Sequence, residues 1–126
     1  MVRILLVDDD QDLREALTEA LAQEGLDVSA FGNAEEALEH LPRQQVDLIM
    51  TDLMLPGIDG AEFCRVLRKH DEYKNAKILM LSNMPAEMGI EITHKDTSWA
   101  PTDRFIDKRA SMAEVMAAVH ELLANG

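Results

Sequence analysis

The sequence predicts one α/β domain, a doubly wound parallel sheet with helices on both faces. Short apolar runs of strand length alternate with stretches of helical spacing along the chain. Strands alternating with helices imply a parallel sheet joined by right-handed crossovers. The first, third and fourth runs are nearly unbroken in apolar residues, as strands are when both sheet faces are covered. A length of 126 residues fits one such domain and leaves little room for a second.

The first run, Val2 to Val7, is followed by Leu13, Ala16, Leu17, Ala20 and Leu21, a helical stripe that ends at Gly25. Val28 to Phe31 forms a second strand. "NAEEALEHLP" opens a second helix with Asn33 as its cap and Glu36 three residues on, and stops at Pro42. Val46 to Thr51 is the third strand, and the turn-rich "LMLPGIDG" leads into a helix carrying Phe63, Val66 and Leu67. "KILML" at 77–81 is the fourth strand and "RFID" at 104–107 a short fifth. Residues 83–103, between those strands, show no good helical stripe and contain Pro101, so a short or distorted helix is expected there. The last helix opens on a capping box, Ser111 with Glu114, and lines one face with Met112, Val115, Met116, Val119, Leu122 and Leu123.

Composition removes several classes of function. The net charge of −12 repels phosphate backbones, so neither nucleic acid nor an anionic membrane surface is an expected direct partner. The single cysteine, Cys64, cannot form an internal disulfide or a cysteine-rich zinc site. The N-terminal apolar run is halted at once by aspartates, unlike a signal peptide, and no stretch nears the roughly 20 apolar residues of a membrane span. A cytoplasmic location is expected.

The polar residues that follow the strands carry the chemistry, because ligands of open parallel sheets bind beyond the strands' carboxyl ends. Asp8 and Asp9 follow the first strand, Asp52 the third, Ser82 the fourth and Lys108 the fifth. If the strand order is 2-1-3-4-5, strands one and three are neighbours and the three aspartates share a pocket flanked by Ser82 and Lys108. Like charges at contact distance repel by on the order of 4 kcal/mol near a surface, so such a pocket calls for a counterion. Three carboxylates are an oxygen-rich cage that suits Mg²⁺, an ion that takes few carboxylates and keeps several waters. Asp10 and Asp12 fall instead at the start of the first helix, where negative charge meets the helix dipole.

In "LLVDDD" before a helix, "TDLMLPGIDG", "ILMLS" and "RFIDK", the chain resembles the receiver domain of two-component response regulators over nearly its full length. The resemblance implies a flavodoxin-like five-stranded fold, with residues 1–126 as a single receiver domain and no output domain in this chain. It implies that Asp52 is the phosphoacceptor, taking its phosphoryl group from a histidine kinase or phosphotransfer protein. Asp9 would bind Mg²⁺ directly and Asp8 through water, with Asp52 and the backbone carbonyl of Met54 completing the protein's ligands. Lys108 and Ser82 would contact the phosphoryl oxygens, Lys108 giving up a resting contact with Asp52. Ser82 and Phe105 would form the switch, the ring turning inward to alter a surface for an unknown downstream protein, with a phosphorylation-dependent homodimer as one option. Met54 and Met84 match the positions that tune the rate and, unable to activate a water, imply a long-lived phosphoform. Such a domain is not an enzyme beyond its own phosphorylation and dephosphorylation.

This chain departs from the family's pattern at three places. Arg109 stands where a proline in a cis peptide is usual, and the cost of a non-proline cis bond, about 2.5–4 kcal/mol, predicts a trans bond and a shifted loop that calls the reach of Lys108 into question. Asn83 replaces a small residue and is placed to crowd or contact the phosphate. The 83–103 stretch is longer and less helical than usual, which points to an unusual output. His40, His70, His94 and His120 lack metal-ligand spacing and read as surface residues. Cys64 and the methionines of the last helix read as packing, Trp99 as folding back onto the domain. Two other functions remain in play: a degenerate receiver that binds partners without phosphorylation, and a haloacid dehalogenase-type phosphatase using Asp8 of an Asp8-x-Asp10 motif.

Overall fold

The structure, a computed structural model, describes residues 2–41, 45–82 and 102–124. The helix expected within 83–103, Pro42, Asn83, Met84, His94, Trp99 and Pro101 lie outside the described residues. Five parallel strands, β1 (Arg3–Val7), β2 (Asp27–Phe31), β3 (Leu48–Asp52), β4 (Lys77–Ser82) and β5 (Arg104–Asp107), form one sheet in the order β2-β1-β3-β4-β5. The helices are α1 (Gln11–Gln23), α2 (Ala34–Glu39), α3 (Gly60–Leu67) and α4 (Met112–Ala124), with a 3₁₀ turn at Asp71–Tyr73.

Successive strand side chains point to opposite faces, and that alternation divides the core in two. Leu5, Val7, Ile49, Ile78 and Met80 face one way and pack with Ala34 and Ala37 of α2 and Phe63, Cys64 and Leu67 of α3. Ile4, Leu6, Leu48, Met50, Leu79, Leu81 and Ile106 face the other way, onto Leu17 and Leu21 of α1 and Val115, Val119 and Leu122 of α4. Every residue of β3 is buried, the expected consequence of helices on both faces. The edge strand β2 is only partly covered.

Helix starts follow the capping residues. Asn33 accepts a hydrogen bond from the Glu36 amide at 2.7 Å, and Ser111 Oγ accepts one from the Glu114 amide at 3.2 Å. Two expectations are corrected. α2 ends at Glu39, short of Pro42, and its cap residue His40 stacks on Phe31 with ring centroids 6.4 Å apart. Met112 does not join the core: it is the first residue of α4 and 37% exposed, and the buried face begins one turn later at Val115. His40, His70 and His120 are exposed, and Cys64 is buried, its thiol pushed up to about 12 by burial.

Candidate functional site

The carboxyl ends of the strands bring the candidate residues together. Asp8 follows Val7 of β1, which pairs with Thr51 of β3, so Asp8 and the strand-terminal Asp52 sit side by side. Both are buried, while Asp9 is exposed at the rim. Ser82 ends β4 in a buried position, and its carbonyl accepts a 2.9 Å hydrogen bond from the Lys108 amide just beyond β5. Gly60 lets α3 begin against this edge, because a Cβ there would lie 2.1 Å from the Asp52 carbonyl oxygen.

Lys108 reaches across the pocket. Its Nζ lies 2.8 Å from Asp8 Oδ1 and 2.7 Å from Asp52 Oδ2. The peptide after it is trans, as Arg109 led us to expect, yet the reach is intact. Arg109 instead closes the turn, donating from its amide and its guanidinium to Asp107 at 2.5–2.9 Å. That arrangement holds the half-buried Asp107 carboxyl down at about 2, through the side-chain and backbone hydrogen bonds of Arg109.

The remaining carboxylate oxygens are not equivalent. Asp8 Oδ1 also accepts from the Asp10 amide at 2.9 Å, and Asp52 Oδ1 accepts from the Met54 amide at 3.0 Å. Asp8 Oδ2 is buried and has no hydrogen-bond partner among the described residues. Burial pushes the Asp8 carboxyl above its ordinary value, against the pull of Lys108. Burial works against the Lys108 ammonium too, but hydrogen bonds to Asp52 and Asp8, with their charge, hold its pKa above the usual lysine value.

These residues fit a divalent cation. Ligand oxygens of Asp8, Asp9 and Asp52 all lie within 4.8 Å of one another. Among the described residues a single ammonium pairs with these carboxylates, which leaves the cluster short of positive charge, and a buried acceptor without a donor is costly to leave so. A hard cation that prefers oxygen answers both deficits. Asp10 does not join the cluster: it caps α1, accepting from the Leu13 amide at 3.1 Å. That placement removes the second acid from the Asp8-x-Asp10 reading. Met54 is 65% exposed above the pocket, and Phe105 is half-buried against the α2/α3 core cluster.

Two residues near the site were not singled out by sequence. Arg14 donates from Nη1 to the Asp8 carbonyl at 2.7 Å, bracing the turn after β1. Glu35, in the first turn of α2, accepts from the Ile58 amide at 3.0 Å in the loop after β3. Arg14 gave a faint signal as the one cation in an acid-rich helix. Glu35 gave none, because an acid in a first helical turn is ordinary.

Comparison with known proteins agrees with this geometry. The family model described as response regulator receiver domain matches residues 4–120. The response regulator MprA of Mycobacterium leprae is 32% identical over 122 residues, covering 97% of this chain and 51% of its own length. The DNA-binding response regulator MtrA of Mycolicibacterium smegmatis is 48% identical over 66 residues, 52% of this chain and 29% of that protein. The chain thus spans at most about half the length of these relatives. The response regulator TrrA of Thermotoga maritima, solved in complex with Mg²⁺ and BeF, superposes with a TM-score of 0.76 at 32% identity, covering 97% of this chain and 99% of that one. No helix among the described residues is long and apolar enough to cross a membrane.

Proposed function

The chain belongs to the response regulator receiver domain family, and on that premise we propose that it accepts a phosphoryl group on Asp52 from a histidine kinase or phosphotransfer protein. The observation that carries this reading is Lys108 bridging Asp8 and Asp52 inside a cluster with room for a cation. Two-component signalling is the family's work. The acceptor, the ion and the switch are our reading of this chain.

An Asp52 carboxylate oxygen attacks phosphorus in line. The bond between phosphorus and the donor imidazole nitrogen breaks, its electron pair returning to that nitrogen, and an acyl phosphate forms on Asp52. Asp8, Asp9, Asp52 and the Met54 carbonyl would hold Mg²⁺, which when bound neutralises charge on the oxygens of the transferring group. Lys108 then exchanges its contact with Asp52 Oδ2 for a phosphoryl oxygen. The Ser82 hydroxyl donates to another, and Asn83 is a third candidate contact. Drawing Ser82 toward the phosphoryl group frees space into which Phe105 turns, so a local charge event biases a surface with two states. Met54 shields the acyl phosphate and carries no group able to activate a water, which favours slow hydrolysis. Outside its own phosphorylation and dephosphorylation the domain catalyses nothing. A downstream protein or a second copy of the chain would read the altered surface.

Intact mass after treatment with acetyl phosphate and Mg²⁺ tests the reading. A single phosphoryl adduct, absent without Mg²⁺ and abolished by Asp52→Asn, is expected. A folded protein that never gains the adduct would mark a receiver working without phosphorylation. Turnover of a phosphate ester that is lost in Asp8→Asn would instead mark a phosphatase.

A further inference from the structure

The loop after β3 carries Met54 and the main chain beside Asp52, and it is held from outside by a residue of another element. Leu53 and Leu55 point into the core, and the Leu53 amide bonds to the Leu81 carbonyl at 3.1 Å. The Gly60 amide closes the far end on the Leu53 carbonyl at 2.9 Å. Between them, at Ile58, the loop's amide is bound by the Glu35 carboxylate at 3.0 Å, across 23 residues of sequence. Gly57 makes room for this contact. Its φ of +78° suits glycine, and a Cβ there would lie 2.5 Å from Glu35 Oε1. The hydrogen bond from Ile58 holds the Glu35 carboxyl below its usual value, consistent with a charge-assisted bond.

We propose that Glu35 is a positioning residue for the phosphoacceptor site: by clamping the Gly57–Ile58 turn from α2, it fixes the loop that presents the Met54 carbonyl and amide beside Asp52. This rests on the receiver reading given above. Asn33 caps α2 just after β2, so the clamp itself starts from an anchored helix end at the same edge of the sheet. Glu35 touches none of the pocket's carboxylates in any contact described above and acts through the loop. It therefore governs where ligands stand, and leaves untouched which residues they are.

The test compares wild type, Glu35→Ala and Glu35→Gln. Glutamine keeps an oxygen for the Ile58 amide and removes the charge, so it separates positioning from simple electrostatics. For Glu35→Ala we expect faster amide exchange at Ile58, displaced amide resonances at Met54 and weaker Mg²⁺ affinity. Its phosphorylation by acetyl phosphate should slow by about three- to tenfold, short of the hundredfold that a full ångström of misplacement can cost. Glu35→Gln, which keeps the acceptor oxygen but gives up the charge assistance, should recover part of each effect. Gly57→Ala should reproduce Glu35→Ala, with little added effect in the double variant. Wild-type phosphorylation with an unchanged rate and Mg²⁺ affinity in Glu35→Ala overturns the role of Glu35 alone. Equal deficits in Glu35→Ala and Glu35→Gln also overturn it, because charge would then be the cause. A wild-type protein that takes up no phosphoryl group overturns the receiver reading itself.

Discussion

The two ends of one sheet treat charge in opposite ways. At the amino end, Arg3 donates from its amide to Asp47 at 2.9 Å, and its Nε lies 3.7 Å from Asp27, with side chains 31% and 50% exposed. At the carboxyl end, Lys108 pairs with Asp8 and Asp52 through side chains 8%, 0% and 6% exposed. Water screens the first set, and few kcal/mol ride on it. The second set lies where ions interact strongly and are costly to desolvate. Each end holds a buried polar atom without a hydrogen-bond partner among the described residues, Arg3 Nε and Asp8 Oδ2, but only at the carboxyl end are two acids buried against one ammonium, for which stability alone gives no reason. That difference is what the proposed function requires of the carboxyl end, which would receive a cation and a phosphoryl group.

Removing Lys108 breaks the comparison most severely. Lys108→Ala leaves Asp8 and Asp52 buried without their ammonium, and the metal-free protein should lose about 3–5 kcal/mol in urea denaturation. Added Mg²⁺ should restore part of that loss. A variant as stable as wild type would mean that the pocket is as well screened as the amino end.

Asp8→Asn should move stability the other way. Burial raises the Asp8 pKa, and a group whose folded pKa exceeds its unfolded value stabilises fully below the unfolded value, about 3.9, and loses that contribution as pH rises through the folded one. Ionised Asp8 therefore costs stability at neutral pH in the absence of metal. The asparagine variant should be more stable there, should lack this part of the pH dependence, and should gain less melting temperature from Mg²⁺. Urea melts between acid and neutral pH check each point.

Arg3→Gln sharpens the contrast from the other end. It should cost less than about 1 kcal/mol, shrink further in salt, and leave Mg²⁺ binding unchanged. Smallest of all is Arg109→Ala. Freed of the guanidinium's hydrogen bonds but keeping that of the residue 109 amide, the Asp107 carboxyl should climb part of the way from about 2 towards the ordinary value, as followed by carboxyl-carbon NMR. A depressed pKa gives stability present above the unfolded value and lost as pH falls towards about 2, so the variant's small loss of stability should be full at neutral pH and vanish in acid.

Much of this was legible because it is written locally. Strands β1, β3 and β4 are covered on both faces, so their apolar runs stand out, and polar residues at the ends of those runs mark the pocket. Asn33, Asp10 and Ser111 announce helix starts through side chains that bond three residues on. What depends on direction was not legible. Sequence places Lys108 near the acids but does not say that it bridges two of them. The Glu35 clamp joins residues 23 apart through a gap that a glycine leaves open, and no local pattern records it. Met112 matched the apolar spacing of α4 but stands at its first position, ahead of the buried face that begins at Val115. The trans bond at Arg109 was foreseen from its energy, whereas the unimpaired reach of Lys108 depends on how the turn is braced.

Mg²⁺ titration of the unphosphorylated protein, followed by amide NMR, tests the central claim most directly. Saturable shifts should centre on residues 8–10, 52–54, 82 and 108, be absent in Asp9→Asn, and spare the residues around Arg3, Asp27 and Asp47. Shifts that never saturate, or that spread equally over both ends of the sheet, would contradict a cation site among these aspartates.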